Sequence, residues 1–391
     1  MIGAPAKGDG RMQVGILEGA VLIGYALFVL LLGLAALVGY RMFKPLARLS
    51  SGGGHRVSII VAAKNEADTL RECLASISQL EYPDKEVIVV CGPSVDGTEE
   101  IAQEFAGTMT ILSEPERPLD WLGKSWACHH GYLRSTGDIL LFADGDVVHS
   151  RESLGVVLAN LDANKADLLS VWPETVTRTR SERLIFPTSV FFLCVGVAAS
   201  ARRTPGGRRV NGANGQYIMI KREAYTAIGG HAAIKTDIME DSAIGRAALG
   251  RGLEVLNADG EGYVKVKPYS RFGEAWEAHE RFGAGLLPSW GVMAATFVLT
   301  LAYFVGPFAL LGLAIAKSSA AYALVGSFTC VVVFAVQAYF SLKVSRAQYF
   351  LLAPVSGLLV LAATSTGFVR FRRGGIAWKG VKYGSDRFKP L

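Results

Sequence analysis

Two aspartates, Asp144 and Asp146, stand one residue apart where an apolar run ends, in the stretch LLFADGDVVHS. A buried carboxylate without compensation is costly, so the pair either faces water at a strand end or shares a positive partner. Carboxylates at this spacing can hold a hard divalent cation, Mg2+ or Mn2+, directly or through its water. Such an ion takes its remaining ligands from water and phosphate oxygens. A D-x-D of this kind can therefore hold a nucleoside diphosphate through a metal bridge. The plainer reading is a turn in which Asp and Gly do ordinary turn work.

The elements around the pair favour the metal. RVSIIVAAKNE reads as a buried β-branched strand ending at Lys64-Asn65-Glu66, followed by a helix with Leu70, Cys73, Leu74 and Ile77 on one face. KEVIVVCGPSVDGTEE is a second strand and a turn, EEIAQEFA a helix, and MTILSE a third strand. GKSWACHHGYLRST is helical, and DILLFADGD is a fourth strand. Strands alternating with helices predict right-handed crossovers and an α/β domain with a mostly parallel, Rossmann-like sheet. Ligands bind such sheets at the carboxyl ends of the strands, where Asn65, Glu66, Asp96, Asp144 and Asp146 all fall.

SIIVAAKNEADTL, VDGTEEIA, WLGKSWA, GDILLFADGDVVH, NGQYIMIKREAY, IGGH and MEDSAIGRAALGRG occur in the order found in family 2 glycosyltransferases. This part of the chain resembles that family over most of residues 57–260. WLGKSWA, NGQYIMI and the later WKGVKY are most similar to membrane-bound enzymes that glycosylate carotenoids or are associated with hopanoid synthesis. Ceramide glucosyltransferases are a more distant likeness. The resemblance implies a GT-A fold and inverting transfer from a nucleotide sugar, with a UDP-sugar as donor. It places Glu66 and Asp96 at the nucleoside and Lys124 at donor phosphate or ribose. Asp144 and Asp146 would bind nucleotide and metal, and Asp241, with Glu240 beside it, would deprotonate the acceptor. Ala63, Asn65 and Gln216 complete the implied donor-binding set.

The chemistry asks for the same parts. A departing diphosphate gathers negative charge that a divalent ion and a lysine can stabilise. The attacking hydroxyl must lose a proton, which one positioned carboxylate can accept. Other readings stand beside these. Asp241 could be the N-cap of the helix in DSAIGRAALGRG, and Lys124 a solvated helix-start lysine. Trp121 and Trp126 could stack on a sugar or simply pack. His129, His130, His149 and His231 lack metal-ligand spacing and read as satisfied or surface histidines, and no GxGxxG is present. Many family members carry Gln/Arg-x-x-Arg-Trp before their last membrane segments. Here AHERF at 278–282 keeps only Arg281, which either reaches the diphosphate or is an interfacial arginine.

Composition supplies the setting. The chain is 51% hydrophobic and 19% charged over 391 residues, too apolar for an ordinary soluble protein. Residues 14–40, 291–316, 319–342 and 349–369 are apolar runs, each about the ~20 residues a spanning helix needs. We divide the chain into an anchor and linker at 1–50, a catalytic domain at 51–285, spanning helices at 286–370 and a basic tail at 371–391. Arg41, Lys44, Arg48 and Arg56 put the middle domain in the cytoplasm, at the plasma membrane. The tail, with Arg370, Arg372, Arg373, Lys379, Lys382, Arg387 and Lys389 against Asp386, asks for the same side. Three spans between two cytoplasmic ends is one too many, so one segment is re-entrant, with Pro307 and Pro354 as candidate breaks, or the tail overrides the rule.

Five cysteines without a CxxC pair fit a reducing compartment. A net charge of +6, concentrated beside apolar segments, points to anionic lipid headgroups and not to nucleic acid. Residues 184–200 are strongly apolar, short for a span and contain Pro187. They read as an interfacial helix, part of a groove for a lipid acceptor, or a core helix. ARRTPGGRRV follows, with Arg202, Arg203, Arg208 and Arg209. A catalytically silent scaffold would lack a metal acid or base, yet Asp144, Asp146 and Asp241 are present. A transporter would be expected to use intramembrane charge, which these segments almost lack.

Overall fold

The computed structural model describes residues 8–49, 54–177, 179–204, 207–267, 271–345, 349–378 and 381–383. Helix α1 (Gly8–Tyr40) leads through β1 (Lys44–Pro45) into the α/β domain. There β2 (Val57–Ala63), α2 (Leu70–Ser78), β3 (Lys85–Cys91), α3 (Thr98–Gln103), β4 (Thr110–Ser113), α4 (Gly123–Arg134) and β5 (Ile139–Asp144) follow the alternation read from the sequence. The chain continues through β6 (Val147–His149), α5 (Ser153–Ala163), β7 (Leu168–Trp172) and β8 (Glu174–Thr175) to a long helix, α6 (Arg180–Ser200). It re-enters the domain through the hairpin β9 (Arg202–Thr204) and β10 (Gly207–Arg209), then β11 (Tyr217–Lys221), α7 (Arg222–Ala227) and α8 (Gly230–Ala233). The domain closes with α9 (Glu240–Gly250), β12 (Val255–Asp259) and β13 (Val264–Val266).

Eight strands form one sheet in the order β1-β12-β7-β11-β5-β2-β3-β4. All neighbours are parallel except β11, which is antiparallel to both β5 and β7. The sheet is buried on both faces, and the side-chain period of two sorts one strand between them. In β2, Ile59 and Val61 join a core with Leu70, Leu74 and Leu158, while Ile60 joins another with Cys128, Tyr225 and Ile244. The domain is thus three-layered, and every β2, β3 and β5 carboxyl end opens on the same sheet edge. β7 runs parallel to β5, so the chain leaves that same edge to enter α6.

After α10 (Phe272–Leu286) come α11 (Trp290–Phe304), α12 (Gly306–Lys317), α13 (Ala320–Phe340) and α14 (Ala353–Arg373), then the hairpin β14 (Ile376–Trp378) and β15 (Val381–Tyr383). Among the described residues, four helices are long and apolar enough to cross a membrane: Gly15–Tyr40, Arg180–Ser200, Ala320–Val344 and Tyr349–Arg373. The run at 291–316 is not one straight helix. It breaks by 54° between Phe304 and Gly306, where Pro307 lies in the first turn of α12, a bend that a broken span and a re-entrant loop would share.

The helix carrying residues 184–200 departs from its reading in length. The helix starts four residues earlier, at a Thr179–Glu182 capping box, and so reaches 21 residues with Pro187 inside. It packs into the apolar bundle instead of lying alone: Phe191 and Cys194 share a buried cluster with Val29, Tyr303, Phe304, Val333 and Phe340. At Gly39 of α1 an added Cβ would fall 1.9 Å from the Cys194 carbonyl oxygen, so only glycine lets α1 and α6 come this close. Polar side chains tie the same bundle: Ser356 donates to Thr188, and Thr188 to Gln337. The side chains of Arg202, Arg203, Arg208 and Arg209 lie outside the described residues, as do Lys379 and residues 384–391 of the basic tail.

Leu141 is fully buried in the central strand β5. Leu141→Ala is expected to destabilise the protein by about 2–5 kcal/mol, read as a clear drop in the thermal unfolding midpoint of the purified protein. An unchanged midpoint would contradict its place in the core.

Candidate active site

Lys124 sits in the first turn of α4, directly above the end of β5. Its Nζ lies 2.7 Å from Asp144 Oδ1 and 2.8 Å from Glu240 Oε1. The lysine side chain is one-third exposed and Glu240 only 11%, so Lys124 is an ion-paired lysine and not a freely solvated one. Burial alone would lower the Lys124 pKa, but Asp144, Glu240 and Asp241 outweigh it and hold the ammonium well above its ordinary value.

Glu240 and Asp241 open α9, whose N-cap is Met239. Asp241 is therefore not the cap. Its Oδ2 accepts from the Gly215 amide at 2.9 Å and its Oδ1 from Ser242 N at 2.6 Å. The two neighbours are driven apart in acidity. Burial pushes Glu240 up, but Lys124 and Arg281 overcome this and hold it below the usual carboxylate range. For Asp241, burial and the adjacent Glu240 charge outweigh Lys124 and raise its pKa. An added Cβ at Gly215 would stand 2.9 Å from Asp241 Cβ and 3.0 Å from Lys124 Nζ, so this glycine lets the 211–216 segment close against both.

That segment enters β11, whose antiparallel pairing sets Tyr217 opposite Ala143. Gln216 is thus beside Asp144, whose amide donates to the Gln216 carbonyl at 3.3 Å. Asn214 Nδ2 donates to Gln216 Oε1, and the Gln216 backbone amide donates to Asn214 Oδ1. On the other flank, Gly145 faces Glu66: a Cβ there would lie 3.4 Å from Glu66 Cγ. Burial first, and then the charges of Asp146, Glu66 and Asp144, push up the pKa of the buried Cys73 thiol, so all three acids act on that one group.

Asn65 adopts φ 51° at the end of β2 and is fixed by Ser94 Oγ and the Val95 amide. Ala63 ends β2 opposite Cys91 of β3. Asp96 is held by the loops around it. Its oxygens accept from the Ala67 amide and from the amide and hydroxyl of Thr98, and Thr98 Oγ1 accepts from Glu66 N. Asp96 therefore ties the β2–α2 loop to the β3–α3 loop and positions Glu66. Burial pushes its pKa up, but these bonds carry it below the ordinary value.

The aromatic and histidine readings resolve toward packing. Trp121 and Trp126 pack on each other with ring centres 5.0 Å apart, and His129 joins them. His231 is buried against Tyr225, its Nδ1 2.8 Å from the hydroxyl, and burial lowers its pKa to about 3. His149 is the exception to the expectation of satisfied histidines: it is buried against Tyr217, neither ring nitrogen has a hydrogen-bond partner among the described residues, and burial lowers its pKa to about 4. Arg281, isolated in the sequence, is brought within electrostatic reach of Glu240. Only tertiary structure could pair these two.

The donor set at Asp144 and Asp146 consists of carboxylate oxygens. Among the described residues no group of three or more His, Cys, Asp or Glu side chains closes a metal cage. Two carboxylates suit Mg2+ or Mn2+, which keep waters and take phosphate oxygens, better than a fully ligated structural ion.

The family model for glycosyl transferase family 2 matches residues 58–228, the stretch that carries β2 to α7. The 4,4'-diaponeurosporenoate glycosyltransferase of Staphylococcus aureus is 30% identical over 237 residues, or 59% of this chain. The match spans 62% of that relative's length. A mannosyltransferase from Pyrobaculum calidifontis, solved in complex with GDP-Man and Mn2+, aligns over 91% of this chain and 98% of its own, with a TM-score of 0.55 and 21% identity. That likeness shows a shared fold.

Lys124→Met leaves Asp144, Glu240 and Asp241 facing one another without their cation. The variant is expected to lose roughly 3 kcal/mol at pH 7. Glu240, depressed in the wild type, contributes stability above its unfolded pKa that is lost as pH falls through the folded value. Protonation likewise relieves the variant's repulsion. The midpoint difference between wild type and variant should therefore shrink from pH 7 to pH 4.5; a constant difference would contradict the cluster.

Proposed function

We propose, from the match of residues 58–228 to the glycosyl transferase family 2 model, that the chain transfers one sugar from a nucleotide sugar, a UDP-sugar, to a lipid acceptor with inversion at the anomeric carbon. The observation that carries this reading is the single lysine shared by Asp144 and Glu240. It joins the strand-end acids, where a donor diphosphate belongs, to the carboxylate pair that can receive a proton.

Glu66, Asn65 and Ala63 line the nucleoside end, and Gln216 flanks the diphosphate. Asp144 and Asp146 would hold a divalent ion, which when bound neutralises charge on the leaving diphosphate. Lys124 places a permanent positive charge at the same point, preorganised by the carboxylates around it. Asp241, raised in pKa and fixed by two backbone amides, takes the acceptor proton. Glu240, kept ionised by Lys124 and Arg281, disfavours a second negative charge on Asp241 and so tunes the base toward neutral pH.

The acceptor is a membrane lipid with a hydroxyl or carboxyl group, of the carotenoid or hopanoid kind. The name of the 30%-identical relative supports this, as does the exit of the chain from the active sheet edge into the apolar α6. Arg41, Lys44, Arg48 and Arg56 set the domain on the cytoplasmic face.

Membranes carrying the protein, given UDP-sugars (with GDP-mannose in parallel) and Mn2+, are expected to release nucleoside diphosphate and yield a lipid heavier by one hexose. Asp241→Asn should lower kcat by about 10²–10⁴-fold while UDP binding persists. Asp146→Ala should abolish the metal dependence. Wild-type kcat/KM should fall on the acid side through a pKa above the ordinary aspartate range, because Asp241 must be ionised to act. Intact donor binding without turnover in the wild type would favour a silent binding protein.

A further inference from the structure

Helix α10 lies between the active site and the membrane helices, and it carries a buried charge that the transfer chemistry does not use. Its inward face is formed by Ala275, Ala278, His279, Glu280, Gly283 and Ala284. The Glu280 side chain is only 6% exposed, and its Oε1 accepts from Arg370 of α14 at 2.7 Å and from the Trp276 indole at 2.9 Å. Arg370, by contrast, is 60% exposed, so the pair joins a buried carboxylate to a largely solvated cation and is weak evidence for stability. A charge kept in such a place calls for a positional explanation.

The contact between the helices is tight and reciprocal. An added Cβ on Gly283 of α10 would fall 1.9 Å from the Thr364 carbonyl oxygen of α14, and one on Gly367 of α14 would fall 2.0 Å from the Glu280 carbonyl oxygen. One glycine on each helix thus brings the backbones together and fixes their register. Arg372 of α14 donates to the Pro288 carbonyl just past α10, and His279 is hydrogen-bonded to Ser189 of α6. The opposite side of α10 meets the active site. Gly285 approaches Met239, whose Cγ would lie 2.5 Å from an added Cβ, and Met239 is the residue before Glu240. Arg281, next to Glu280, lies within electrostatic reach of Glu240.

We propose that the Glu280–Arg370 pair is a latch through which the last membrane-crossing helix holds Arg281 beside Glu240, making both latch residues positioning residues of the transfer site. The latch rests on the transfer reading given above. It explains why an isolated arginine, outside its usual sequence surroundings, still reaches the site: α14, not the local motif, sets its place. Arg370 makes one contact to the carboxylate, without the two-pronged geometry that only arginine can offer. A lysine can therefore replace it.

The test uses the full chain in lipid nanodiscs, with Arg370→Gln, Arg370→Lys, Glu280→Gln, Arg281→Gln and the double variant Arg281→Gln/Arg370→Gln. Glu280→Gln removes the buried charge but keeps shape and an oxygen for Trp276, so it remains informative should Arg370→Gln fail to fold. Arg370→Gln and Glu280→Gln are expected to lower kcat about tenfold with donor KM within twofold, and Arg370→Lys to retain at least half of the wild-type rate. In the Arg281→Gln background, Arg370→Gln should cost less than twofold more, because the latch acts through that arginine. Hydrogen exchange should quicken in residues 237–242 and 272–286 of Arg370→Gln or Glu280→Gln and stay unchanged in 139–149. Unaltered kcat in Glu280→Gln, a lysine variant as poor as glutamine, or an equal loss with and without Arg281 would overturn the latch. Absence of transfer by the wild type would defeat the transfer reading instead, and the exchange pattern alone would then decide whether α14 seats α10.

Discussion

One ammonium group holds this site together. Asp144 comes from the end of a central strand and Glu240 and Asp241 from the start of a helix nearly a hundred residues later, and like charges so placed repel in a partly dry crevice. Lys124 stands between them, within 2.8 Å of two carboxylates. It offsets the desolvation of its own charge through those contacts and reduces the repulsion among the acids. The asymmetry follows from position. Glu240 has two cations near it and is held ionised, whereas Asp241 feels its neighbour's charge more than the lysine and is raised.

The sheet explains how these groups come together. Parallel β2, β3 and β5 end at one edge, so their terminal residues share a crevice for topological reasons. The reversed strand β11 then carries the 211–216 segment into that edge from the opposite direction. It sets Gln216 beside Asp144 and the Gly215 amide on Asp241. Glycine at 215 is what lets the segment come so close. Asp96 holds two loops in place through backbone amides. The crevice is thereby shaped before any ligand arrives.

The apolar helices are built into this arrangement and are more than an anchor. α6 departs from the active edge of the sheet and packs against α1, α13 and α14, in a cluster whose buried rings include Phe191, Tyr303, Phe304 and Phe340. α10 is clasped by α14 on one side and touches the residue before Glu240 on the other. The apolar helices thus reach the candidate site through packed contacts of one or two residues.

What was legible in the sequence was whatever depends on local pattern. Apolar periodicity and the strand-end positions of Glu66, Asp144 and Asp146 were enough for the α/β class, the mostly parallel sheet and one polar edge, and the break at Pro307 was visible as a proline in an apolar run. The sequence misled where a boundary or a partner lies far away. The capping box that lengthens α6 sits outside its apolar stretch. His149 was expected to be satisfied because burial by Tyr217 cannot be read from its neighbours in the chain. Arg281 was ambiguous for the same reason, since nothing near it names Glu240. Composition and periodicity act over a few residues, whereas charge compensation and helix seating are settled by which distant segments the fold brings within a few ångströms.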